Sequence, residues 1–182
     1  WFLYYLLMLV AGFALVSLLV TSWKIPPLPG WVLSAPACLL VLVPLTAIAQ
    51  FFMQQSFGPD TAMGILPWPP KLFYYAIFFG FGAICFGRPE FEDILGRWWP
   101  LSFLLAVPFF FHGSHLFEQG PSGTQRIVFS LCTALYAWLM ILGCLGVFRQ
   151  FFARQNSRIR YVSDASYWMY LAHLPFIMLL QA

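Results

Sequence analysis

Apolar residues fall into six long blocks, separated by short clusters of charge, proline and glycine. The blocks run over approximately 1–23, 31–53, 72–87, 98–112, 127–148 and 161–180. A helix rises about 1.5 Å per residue, so about 20 apolar residues cross a hydrocarbon core of ~30 Å. Four blocks meet that length. The third and fourth reach only about 24 and 22 Å at the same rise, so their ends are expected at thinned bilayer or shielded by protein; the alternative is a re-entrant pair. Neither β-type alternation nor a fixed-period repeat is visible. The pattern predicts an all-α, polytopic transmembrane helical bundle of about six spans, forming one domain over 1–182.

Composition agrees. The chain is 62% hydrophobic and 8% charged, with a mean hydropathy of +0.81, whereas soluble domains carry about 25% charged residues. Disorder is excluded by the same balance, and a net charge of +3 is too small and dispersed to suggest nucleic acid. With six crossings, Lys24, Arg88, Arg97, Arg149, Arg154, Arg158 and Arg160 collect on one side, and only Lys71 and Arg126 on the other. The positive-inside rule makes the first side cytoplasmic and puts both ends of the sequence outside. Trp23, Trp31, Trp68 and Trp98-Trp99 fall at interfaces, where indoles prefer to sit. Cys38, Cys85, Cys132 and Cys144 lie in apolar blocks without C-x-x-C spacing, as small buried hydrophobes do. The sequence starts inside an apolar run at Trp1, without a basic leader, and reads as a segment of a longer membrane protein.

The strongest chemical signal is the last block. At 100° per residue, Ser163, Ser166, Tyr167, Tyr170 and His173 share an arc of about 120°, with Asp164 beside it. Polar groups at membrane depth are costly and face protein or a wet cavity. Pro175 leaves the Leu171 carbonyl without its helical donor, beside His173. Helix capping by Ser163 or Asp164, and a dry interhelical hydrogen bond by His173, are the plain alternatives to a site-lining seam. A second cluster, Gln54-Gln55-Ser56-Phe57-Gly58-Pro59-Asp60-Thr61, is turn chemistry whose Asp60 could also contact a hydroxylated substrate at the mouth of the bundle. His112, His115 and Glu118 resemble metal-ligand spacing only weakly and read as interfacial loop residues, so no metal site is expected. The run Arg149, Arg154, Arg158 and Arg160 serves as topogenic charge beside lipid headgroups, or attracts an anionic phosphate-bearing donor from the cytoplasm.

Two stretches carry a family resemblance. Trp1-Phe2-Leu3-Tyr4-Tyr5 resembles the opening of a middle helix in the acyltransferase type 3 family. The run from Ser163 through Tyr167, Tyr170, Leu171 and His173 to Pro175 resembles that family's late Ser-Tyr-x-x-Tyr-Leu-x-His-x-Pro helix. Phe57-Gly58-Pro59-Asp60-Thr61 and Phe78-Phe79-x-x-Gly82 look like the branch of glucan succinyl- and acetyltransferases. The resemblance implies roughly the fourth to ninth of about ten helices in a multi-pass integral protein of the bacterial inner membrane. It implies an enzyme that moves an acetyl or succinyl group from acyl-CoA to a hydroxyl of a glycan or lipid-linked sugar, with membrane lipids around it and no tightly bound cofactor. The family's catalytic Arg and His stand on a first helix outside this sequence, so the catalytic residues stay unknown and the segment alone is expected to be inactive. His173, Tyr170, Tyr167, Ser166 and Asp164 carry over as site-lining or structural positions. A secondary transporter or flippase with a His173/Asp164 relay is the competing class, although the paired broken helices that would mark one are not evident.

Overall fold

The computed structural model describes residues 2–23, 37–53, 57, 68–86, 97–152 and 160–166, together with 157, 168, 169 and 172. Among them there is no strand, and the expectation of an all-α bundle holds. Five helices are bounded: α1 (Phe2–Ser22), α2 (Ala37–Phe52), α3 (Pro69–Cys85), α4 (Trp99–Glu118) and α5 (Thr124–Phe152). Residues 160–166 are helical as well. The chain divides into two compact units, Trp1–Gly146 and Val147–Ala182.

Three helices, at Leu3–Ser22, Trp99–Glu118 and Thr124–Phe152, are long and apolar enough to cross a membrane. The chain is a membrane protein by this measure. α1 makes the point most directly, because Leu7 and Leu18 are 66% and 69% exposed and Tyr5 is the one buried side chain among those described on it. A helix apolar all round with almost nothing covering it is stable only where the solvent is itself apolar.

Prolines stand at the start of some of these helices and inside others. Pro69 and Pro70 open α3, and a proline in the first turn loses no intrahelical donor. Pro44 and Pro108 lie inside α2 and α4, where each withholds an N–H from the carbonyl four residues earlier. α4 ends at Glu118, and two residues on Gly120 takes a φ of 67°, the left-handed conformation that follows helix ends at least cost for glycine.

Two expectations need correction. The fourth block does not stop at 112, nor are His112 and His115 loop residues: both stand on the last turns of α4, which runs to Glu118. Polar side chains ended the apolar run but not the helix, and Gly113 between them is buried. α4 therefore reaches 20 residues, too long for half of a re-entrant pair. α5 likewise begins before 127 and ends after 148, at 29 residues.

In the first unit α5 is the central element. Ala134 and Trp138 are fully buried at its middle. The Trp138 ring stacks on Phe78 of α3 at 4.7 Å and meets Phe81 edge-on at 5.0 Å. Its Nε1–H donates to Thr46 Oγ1 of α2 at 2.9 Å, and that hydroxyl donates to the Leu42 carbonyl at 2.7 Å. Three helices thus meet on one indole, and its single polar atom is satisfied. Small residues let helices approach. Gly143 faces the ring of Phe103 of α4, with the nearest carbons 2.9 Å from where a Cβ would stand.

Contact pairs fix the helix directions. Thr46 meets Trp138 while Phe51 meets Arg126, so α2 and α5 are antiparallel. Phe117 stacks on Phe129 and Phe103 lies by Gly143, so α4 and α5 are antiparallel too. Tyr5 meets Tyr75 and Phe13 meets Phe79, so α1 and α3 run parallel. Each relation is what successive crossings of one slab require.

A methyl group at Gly113 would overlap the Phe57 ring. Gly113→Ala is therefore expected to cost about 1–3 kcal/mol by overpacking. Gly12→Ala, with nothing within 4 Å, should cost nothing. Thermal unfolding in detergent, with Phe57→Ala recovering part of the loss at Gly113→Ala, checks both.

Candidate functional site

The first unit holds a cavity of about 310 Å³ where the end of α2 meets the α4–α5 turn, lined by Gln50, Met53, Phe117, Gly120, Pro121, Arg126, Phe129 and Ser130. Its geometry follows from local rules. The last carbonyls of α2 have no helical donor, and Arg126, in the first turn of α5, supplies one. Its Nε–H donates to the Phe51 carbonyl at 3.0 Å and an Nη2–H to the Met53 carbonyl at 3.4 Å. A cation at a helix C-terminus also meets the negative end of the helix dipole. The guanidinium lies 5.1 Å over the Phe51 ring, within cation–π range. Ser130 Oγ turns back to the Arg126 carbonyl at 2.8 Å, and Gln50 is 1% exposed.

Phe57 braces the far side of the Phe129 wall. Its ring lies 5.4 Å from Phe110, 6.2 Å from Phe129 and 5.6 Å from Tyr136, wedged between α4 and α5. Of the polar cluster over Gln54–Thr61, this aromatic is the described member, and it is an anchor rather than a polar contact.

The expected site residues separate clearly. Asp60, Arg154, Arg158, Tyr167, Tyr170 and His173 lie outside the described residues. In the second unit, residues 160–166, 168, 169 and 172 are helical, the conformation that the seam's spacing assumes. Asp164 and Ser166 are exposed there, and Ser166 Oγ donates to the Val162 carbonyl at 2.7 Å. Arg149 is half-buried in the last turn of α5, and Arg160 is exposed. On α4, His112, His115 and Glu118 are exposed, His115 Nε2 lies 2.9 Å from Gln119 Nε2, and among the described residues no three His, Cys, Asp or Glu side chains gather.

Sequence reasoning missed Arg126, Gln50 and Ser130 as a group. The available signal was that Arg126 is one of only two basic residues on the charge-poor side. Comparison with protein-family models, curated proteins and solved structures finds no match.

Replacing Arg126 removes two charge-assisted bonds, each of a kind worth about 1.5–3 kcal/mol net of exchange with water. Arg126→Ala should lower the unfolding midpoint in detergent, and Arg126→Lys should restore little of it, since an ammonium lacks the planar fork. Equal midpoints for wild type and Arg126→Ala would contradict this role.

Proposed function

We propose that this chain is part of an integral membrane acyltransferase, transferring an acetyl or succinyl group from a cytoplasmic acyl-CoA to a hydroxyl of a glycan or lipid-linked sugar. The observation that carries the reading is the late run from Ser163 to Pro175, similar to the acyltransferase type 3 motif, in a region whose described residues are helical. A helix there sets hydroxyls and an imidazole on one stripe. The setting this implies is a bacterial inner membrane.

Acyl transfer to a hydroxyl needs a base for the departing proton and donors for the developing oxyanion. Tyr167, Tyr170 and Ser166 carry hydroxyl donors, and His173 carries an imidazole that orients a substrate hydroxyl or a neighbouring donor. On this reading no residue of this sequence is assigned as the base. Arg149, Arg154, Arg158 and Arg160 offer the donor's phosphates a cationic approach from the cytoplasmic side. Asp60 is placed by this reading on the acceptor side. The exposed apolar lengths of α1 and α5 support the membrane setting and leave the chemistry to be tested.

The test uses the full-length parent in inside-out membrane vesicles, with radiolabelled acyl-CoA supplied at the outward-turned cytoplasmic face. His173→Ala and Tyr170→Phe should each lower transfer to glycan by about 10²-fold, the scale of one lost oxyanion donor, at normal expression. Full transfer by both variants would remove the seam from the site, and substrate uptake without covalent modification would favour a transporter.

A further inference from the structure

We infer that Arg126 and the α2–α5 groove form a binding site for a membrane phospholipid of net negative charge. A second hollow adjoins the Arg126 cavity. It is a groove of about 410 Å³ between α2 and α5, lined by Pro44, Ala47, Ile48, Phe51, Ile127 and Leu131 among others, almost wholly apolar. Ser130 lines both hollows, and the Phe51 ring under the guanidinium is part of the groove wall. The Arg126 cavity and the apolar groove therefore share Ser130, and the groove wall at Phe51 lies under the guanidinium.

That juxtaposition fits one shape of ligand. A guanidinium has five N–H donors; Arg126 spends one on each of two backbone carbonyls and keeps the rest for an anion. Phosphate is the anion a guanidinium matches best. From Phe52 to Pro44 the groove follows α2 for about 12 Å, with Ile48 and Phe52 exposed at 56% and 54%, as an alkyl chain in contact requires. A free anion would use the cavity and leave the groove idle; a neutral lipid would use the groove and leave the cation idle. A phospholipid with an anionic headgroup uses both. The site is independent of the acyl-transfer reading.

The test measures binding of short-chain phosphatidylglycerol, phosphatidylcholine and inorganic phosphate to the purified full chain in neutral detergent, by native mass spectrometry and thermal shift. Phosphatidylglycerol should bind about tenfold more tightly than phosphatidylcholine, the scale of one charge-assisted hydrogen bond. Arg126→Gln should abolish that preference. Ile48→Trp, which fills the groove and leaves Arg126 in place, should weaken both lipids and keeps the test sound should Arg126→Gln fail to fold. Equal binding of the two lipids by wild type, lipid affinity that survives Ile48→Trp undiminished, or inorganic phosphate competing as well as the lipid would each overturn the proposal.

Discussion

The fold depends on how helices find their register when the medium around them is as apolar as they are. Lipid removes the hydrophobic drive between helices, leaving packing and interhelical hydrogen bonds to decide. Two polar links do this between α2 and α5. One is the Trp138 indole on Thr46 at the middle of the pair; the other is the Arg126 guanidinium on the Phe51 and Met53 carbonyls at its end. Trp138 and Arg126 stand about 18 Å apart along α5. Two fixed points at that spacing leave neither sliding nor rotation free, and the cavity beneath Arg126 inherits its shape from them.

Packing then does what area alone cannot. The indole takes Phe78 on its face and Phe81 on its edge, a geometry aromatic quadrupoles favour, which brings α3 to the same point. Hydroxyls that would be costly in this interior are satisfied within their own helix, as at Ser130 and Thr133, each donating to the carbonyl four residues earlier. The buried core therefore carries polar residues without losing helical backbone bonds.

Much of the architecture was legible in the sequence. Long apolar runs give α1 and α5, and tryptophans at run ends give Trp23, Trp68 and Trp98, which are exposed at helix termini as indoles at an interface would be. Cys38 and Cys132 are buried in helices, as small hydrophobes are. Illegible parts share a physical cause. Hydropathy stops where polarity starts, so it cut α4 short at His112, although backbone hydrogen bonding carries that helix to Glu118. Nothing in the spacing singles out Thr46 or Trp138, because their partnership joins residues 92 apart. Arg126 was counted as a charge on one side of a membrane, and its use as a clamp on α2 depends on the meeting of two distant helix ends. A stripe on the late run could be proposed from spacing because it needs only one helix; a cavity built by three elements could not.

The most direct measurement is a double-mutant cycle on the central link, with Thr46→Val, Trp138→Phe and the pair, following reversible unfolding in detergent micelles. Interhelical hydrogen bonds in membrane proteins average about 0.6 kcal/mol and reach about 1.7. A coupling energy of that size is expected, with the double variant losing less than the two single losses added together. Strict additivity would mean that the indole and the hydroxyl act separately, and the register of α2 on α5 would need another cause.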